Sequence, residues 1–73
     1  MEKYMERMIQ TRQDHDEYQK ELAYALGIHR VQLAKYENGT NKPSIDYLIK
    51  FCIYYHVSAD YILGLPRGLD WPR

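Results

Sequence analysis

Only one cysteine stands in the chain, Cys52. A lone thiol excludes an internal disulfide framework and a cysteine-based zinc site. His15, His29 and His56 share no ligand spacing such as i, i+4, so no metal and no cofactor are expected. No stretch approaches the roughly 18 apolar residues that a membrane-spanning helix needs. Met1 to Arg7 carry no leader-like apolar region, which makes a cytoplasmic location the expectation. Neither sign of charge prevails: 10 basic residues face 10 acidic ones, which excludes a strongly cationic coating protein. Strand-like alternation with hairpin signals is missing, as are repeats and low-complexity segments. No Ser/His/Asp or Cys/His set sits in a supporting motif, so catalysis is not expected. At 73 residues the chain is too short for a second domain closing over a deep enzyme cleft. Its 45% hydrophobic content suffices for one small core.

What is present is helical spacing from end to end. Met5, Met8, Ile9 and Arg12 follow an i, i+3, i+4, i+7 pattern, which predicts a first helix from about Tyr4 to His15. Leu22, Ala23 and Leu26 mark one face of a second, ended by Gly27. Leu33 and Tyr36 face inward on a short third, closed by Asn38-Gly39. Pro43 precedes Ser44, a good cap for a fourth helix with an inner set of Ile45, Leu48, Ile49, Cys52 and Tyr55, and Phe51 beside it. Ser58 caps a fifth, which runs through Leu63 and stops at Gly64. The expectation is a compact all-α domain of five short helices over residues 1–64, with residues 65–73 as a tail. Leu65, Leu69 and Trp71 suggest that this tail docks on the fourth and fifth helices, of its own or a partner subunit.

Residues 19–38 are the most informative stretch. Leu22, Leu26, Ile28, Leu33 and Tyr36 are spaced to bury the inner faces of two helices that cross through a tight turn. Ala23 is small enough for the backbones to approach, and Gly27 accepts a left-handed conformation. That leaves Arg30, Val31, Gln32, Ala34 and Lys35 facing outward. This surface is polar, basic and narrow enough for a DNA major groove. Local charge agrees: residues 29–42 carry Arg30, Lys35 and Lys42 against Glu37 alone.

Three segments, "QKELAYALGIHRVQLAKYENG", "KPSIDYLIKF" and "HVSADYILG", resemble the Cro/repressor-like helix-turn-helix proteins, also called the lambda-repressor-like or Xre family. The likeness runs from about Arg7 to Gly64 and implies a sequence-specific transcriptional regulator of bacterial or phage type, a repressor working as a homodimer. Its partner would be double-stranded DNA, a near-palindromic operator with half-sites roughly 34 Å apart. Such a protein would lie in the cytoplasm at the nucleoid. By resemblance, Arg30, Val31 and Lys35 face base edges, with His29 at the start of the reading helix. Gln19, Asn38, Gly39 and Lys42 match positions that hold the phosphate backbone, Gln19 also bracing the reading helix. Arg12 and Glu37 match a structural ion pair beneath that helix.

The chain departs from the family pattern at several positions. His29 and Tyr18 stand where Ser or Thr commonly caps, Thr11 where leucine is common, and Asp16-Glu17 where a Gly-hydrophobic pair is usual. These bear on affinity more than on fold. Of the 8 tyrosines, Tyr36, Tyr55 and Tyr61 sit at family core positions, while Tyr4, Tyr18, Tyr24, Tyr47 and Tyr54 are expected at edges or a subunit contact. Cys52 is expected as buried filler. The competing function is an antitoxin or anti-repressor module that grips another protein, favoured by the neutral charge and the apolar tail.

Overall fold

Met5, Met8, Thr11 and Arg12 turn inward from α1 (Lys3–Asp14), the first helix in a computed structural model that describes residues 1–66. It is followed by α2 (Gln19–Leu26), α3 (Arg30–Glu37), α4 (Ile45–Tyr55) and α5 (Ala59–Leu63), with no strand among the described residues. Helix α2 packs on α3 and α4, and α1 spans the bundle to meet α3 and α5. Phe51, Met8, Leu22, Leu33 and Ile62, drawn from all five helices, are the largest fully buried side chains.

Local chemistry sets the helix ends. Ser44 Oγ accepts the Tyr47 amide at 3.0 Å and Ser58 Oγ accepts that of Tyr61 at 3.1 Å, each satisfying an orphan donor of a first turn. Tyr18 cannot cap α2 as a serine would; instead the Glu21 carboxylate reaches back to accept the Tyr18 amide at 2.8 Å. His29 makes no side-chain cap on α3. Four helices leave through a left-handed residue, Asp16, Gly27, His56 or Gly64. The following amides return to the carbonyls of Arg12, Ala23, Cys52 and Asp60 at 3.0–3.3 Å, the six-to-one bond of the Schellman stop. Glycine adopts this conformation freely at Gly27, whereas Asp16 and His56 carry a Cβ there at a cost of roughly 1 kcal/mol each.

The inner face of α4 differs from the sequence expectation. Tyr47, Phe51 and Tyr55 enter the core, while Ile45 is 70% and Ile49 50% exposed, and Leu48 and Cys52 are half-buried. Apolar residues populate both sides of this helix, so spacing alone offered two inner faces. The aromatic one was selected because its rings form a continuous row. Tyr36–Tyr47, Tyr47–Phe51, Phe51–Tyr55 and Tyr55–His15 have centroids 4.7, 6.0, 4.8 and 4.6 Å apart. Tyr47, expected at an edge, is therefore core. Tyr61, expected in the core, is 55% exposed, and its neighbour Ile62 is buried in its place. The Arg7 guanidinium lies 5.5 Å from the Tyr61 ring centroid and donates to the Tyr61 carbonyl at 2.7 Å, tying α1 to α5. A Cβ at Gly64 would stand 2.8 Å from Arg7 Nη1 and would push the guanidinium tip aside. The expected docking of Trp71 lies outside the described residues.

Two buried hydroxyls, Tyr47 Oη and Tyr55 Oη, have no hydrogen-bond partner among the described residues. Burial, followed by the Glu37 charge for Tyr47 and the Glu17 carboxylate for Tyr55, holds both ionisations well above the ordinary value of 10.0. Raised folded-state values mean that the stability contribution is complete below pH 10 and is lost above it, as the unfolded chain sheds these protons first. Thermal melts followed by circular dichroism are expected to fall steeply on the alkaline side of pH 10. Tyr47→Phe is expected to raise stability by about 1 kcal/mol at neutral pH, because it removes an unpaired hydroxyl, and to shallow the alkaline fall. A destabilised Tyr47→Phe variant would show that the hydroxyl has a partner.

Candidate nucleic-acid interface

The corner between α2 and α3 is built from the inside outward. Leu22, Ala23 and Leu26 on α2 meet Leu33 and Tyr36 on α3, all buried, while Ile28 in the turn is half-buried. Gly27 lets the chain reverse in a three-residue connection, Gly27 to His29, after α2. With its inner side committed to this packing, α3 presents Arg30, Val31 and Lys35 to solvent; Gln32 and Ala34 are half-buried. His29 is exposed at the start of the helix with its imidazole unused by the cap.

Beneath α3 lies a buried ionic knot. Arg12 donates from Nε to Glu37 Oε2 at 2.8 Å and from Nη2 to Oε1 at 2.9 Å, a bidentate pair. Gln19 Nε2 donates to the same Oε1 at 2.9 Å. The third nitrogen, Arg12 Nη1, donates to the Glu17 carbonyl at 2.8 Å and holds the α1–α2 connection. The hydrogen bonds to Glu37 raise the Arg12 ionisation against the opposing effect of burial, so this guanidinium stays charged. One carboxylate thus ties α3 to both α1 and α2. All three nitrogens of the Arg12 guanidinium are occupied below the helix.

Beyond α3 the chain turns sharply. Asn38 Oδ1 accepts the Thr40 amide at 2.9 Å, Gly39 is left-handed, and the Asn41 amide donates to the Lys35 carbonyl at 3.1 Å. Asn38, Gly39 and Lys42 are exposed along this loop, and the Asn38 side-chain NH₂ is left free to donate outward. Between the first turns of α2 and α3 lies a shallow concavity lined by Arg12, Tyr18, Gln19, Lys20 and Arg30. Tyr18 and Lys20 join this concavity without having been expected there. The signal for Lys20 is its place beside Gln19 in the first turn of α2, where backbone amides without helical partners and an ammonium group would favour negative charge together. Of the Asp16-Glu17 pair that departs from the family pattern, Glu17 is engaged by α4: its Oε2 accepts the Tyr54 hydroxyl at 2.7 Å.

Among the described residues no group of three or more His, Cys, Asp or Glu side chains is arranged to hold a metal ion. Likewise, no helix among them is long and apolar enough to cross a membrane. Burial raises the Cys52 thiol ionisation, which lowers its thiolate fraction and reactivity.

The sequence profile described as Helix-turn-helix matches residues 19–62, which cover α2 to α5 nearly in full. The chain belongs to the helix-turn-helix family. This helix-turn-helix protein is 39% identical over 67 residues to the uncharacterized HTH-type transcriptional regulator YobD of Bacillus subtilis, a match covering 92% of this chain and 60% of that one. Over 58 residues it is 40% identical to the HTH-type transcriptional regulator ImmR of the same organism, covering 80% and 46% respectively. A crystal structure of a transcriptional regulator from Listeria innocua superposes with a TM-score of 0.76 at 26% identity, covering 96% of this chain and 64% of that one. The chain therefore spans between about half and two-thirds of the length of these relatives.

Proposed function

We propose that this chain is a sequence-specific DNA-binding transcriptional regulator, a repressor acting as a homodimer, which lays α3 in the major groove. The observation that carries the reading is the two-sidedness of α3. Its inner side is locked by the Arg12–Glu37–Gln19 knot, and its outer side holds Arg30, Val31 and Lys35 with no partner among the described residues. A rigid rod with free basic tips is what base reading requires. The names of the relatives, all transcriptional regulators, point the same way.

In this reading Arg30 and Lys35 donate to guanine O6 and N7, Val31 packs on a thymine methyl, and His29 lies at the edge of the groove. Gln19, through its first-turn amide, and Asn38, Gly39 and Lys42, through the loop, hold phosphates and carry no sequence information. Lys20 joins them across the concavity. Two copies would engage half-sites about 34 Å apart on a near-palindromic operator. The location that follows is cytoplasmic, at the nucleoid, and the role is not enzymatic.

Selection from a random DNA pool, followed by titration of the selected and scrambled duplexes at several salt concentrations, tests this. Arg30→Ala is expected to lose about 1–3 kcal/mol of discrimination at one base position. Lys42→Ala is expected to weaken both duplexes alike and to lower the salt slope by about 1. Equal losses on both duplexes for Arg30→Ala would remove it from base reading. One observation favours a second reading, an antitoxin or anti-repressor module: the exposed isoleucines of α4 suit a protein partner. Failure of the pool to enrich any motif, together with a stable heteromeric complex, would select that reading.

A further inference from the structure

Helix α4 is apolar on two opposite sides, and among the described residues only one of them is buried. Tyr47, Phe51 and Tyr55 fill the core, while Ile45, Ile49 and Ile53 form an i, i+4, i+8 ridge on the far side, 70%, 50% and 70% exposed. A helix apolar all round is one that is covered all round. The ridge is bordered by the only two charges of α4, Asp46 and Lys50, one residue after Ile45 and Ile49. Among the described residues neither makes an ion pair, since the single ion pair there is Arg12–Glu37.

The spacing of these five residues is self-complementary. Consider a second copy of α4 laid antiparallel about a two-fold axis, with Asp46 of each helix level with Lys50 of the other. The two-fold keeps the charged borders on the same side, so two reciprocal Asp46–Lys50 pairs form. In that register Ile49 of the second copy falls level with position 47, midway between Ile45 and Ile49. Ile45 of the second copy falls level with position 51, midway between Ile49 and Ile53. The offset is two residues, about 3 Å along the axis, so the ridges interdigitate instead of colliding. The register that pairs the charges is thus the same one that interlocks the isoleucines. An unrelated partner would not require both conditions to hold in a single helix.

We infer that the Ile45–Ile49–Ile53 ridge of α4 is the self-association face of this protein, closed by an antiparallel second copy of α4 with reciprocal Asp46–Lys50 ion pairs. The inference rests on the homodimer of the proposed function and assigns its interface. It is tested on the full 73-residue chain by sedimentation equilibrium over a concentration series, with thermal melts of each variant confirming that it is folded. Asp46→Lys and Lys50→Asp each place like charges opposite one another at two symmetric sites and are expected to weaken dimerisation at least about tenfold. The double variant Asp46→Lys/Lys50→Asp restores opposite signs and is expected to return the dimer to within about threefold of the wild-type dissociation constant. Ile49→Asp is expected to give a folded monomer. A dimer indifferent to all four variants would overturn the assignment of this face while leaving the homodimer standing. A wild-type chain that stays monomeric at every concentration, with and without its selected DNA, would overturn the homodimer and this face together. A monomer whose ridge instead binds a different protein would overturn the inference in favour of the protein-binding module.

Discussion

Glu37→Ala is expected to cost about 3–5 kcal/mol of folding stability, the scale for breaking a buried ion pair from one side. The variant leaves the Arg12 guanidinium buried with only the Glu17 carbonyl as acceptor and frees Gln19 Nε2 as well. A domain of this size has roughly 4–11 kcal/mol in total, at about 0.05–0.15 kcal/mol per residue, so the variant would lose a large fraction of it. Urea titration checks this. The control is Arg12→Met combined with Glu37→Leu, which removes both charges and should recover most of the loss, because no uncompensated charge remains. A loss below about 1 kcal/mol for Glu37→Ala would mean that water screens the pair, as at an exposed site. In that case α3 would owe its orientation to Leu33 and Tyr36 alone. The same comparison separates stability from function: if the double variant is stable yet binds DNA weakly, the knot is needed to aim α3 and not merely to keep the chain folded.

Phe51→Ala is the second large effect, expected at about 3–5 kcal/mol from lost burial plus the cavity left behind. Phe51 is fully buried, and its ring stands between those of Tyr47 and Tyr55 in the aromatic row. Removing it would leave both neighbours without a packing partner on one side, and few small side chains are present to collapse into the gap. For a domain of this length each kcal/mol shifts the melting temperature by roughly 4–8 °C, so the change would be plain in a thermal melt. Ile49→Ala, only two residues away, is expected to shift the stability of the monomer by less than about 0.5 kcal/mol, as for an ordinary surface change. The contrast tests which side of α4 is inside. Equal losses from the two substitutions would place Ile49 in the monomer core and contradict the aromatic inner face.

Much of the architecture was legible from punctuation. Ser44 after Pro43, Ser58, Gly27 and Gly64 mark helix ends within a residue or two of where they fall, because capping and left-handed stops depend on a few adjacent atoms. The left-handed turns at Asp16 and His56 were not legible: aspartate and histidine enter that region more often than most residues with a Cβ, yet the great majority of them do not, so residue type alone does not mark the position. Arg12 and Glu37 lie 25 positions apart, so periodicity does not link them; the family resemblance suggested the pair, and its bidentate geometry comes from the packing of α1 beneath α3. The engagement of Gln19 with Glu37 likewise depends on where α2 crosses α3.

The order of residues was enough to dictate five helices, those ends that serine or glycine marks and the turn between α2 and α3, because propensity, capping and turn chemistry act between near neighbours. Which side of α4 faces the core, whether Tyr61 or Ile62 is buried, and how one carboxylate comes to hold two other helices were settled only in three dimensions. On a helix with apolar residues all round, several inner faces satisfy the same periodicity. The choice among them falls to the shapes of side chains brought together from distant parts of the chain, and here a row of tilted and edge-on rings filled the available space where a line of isoleucines did not.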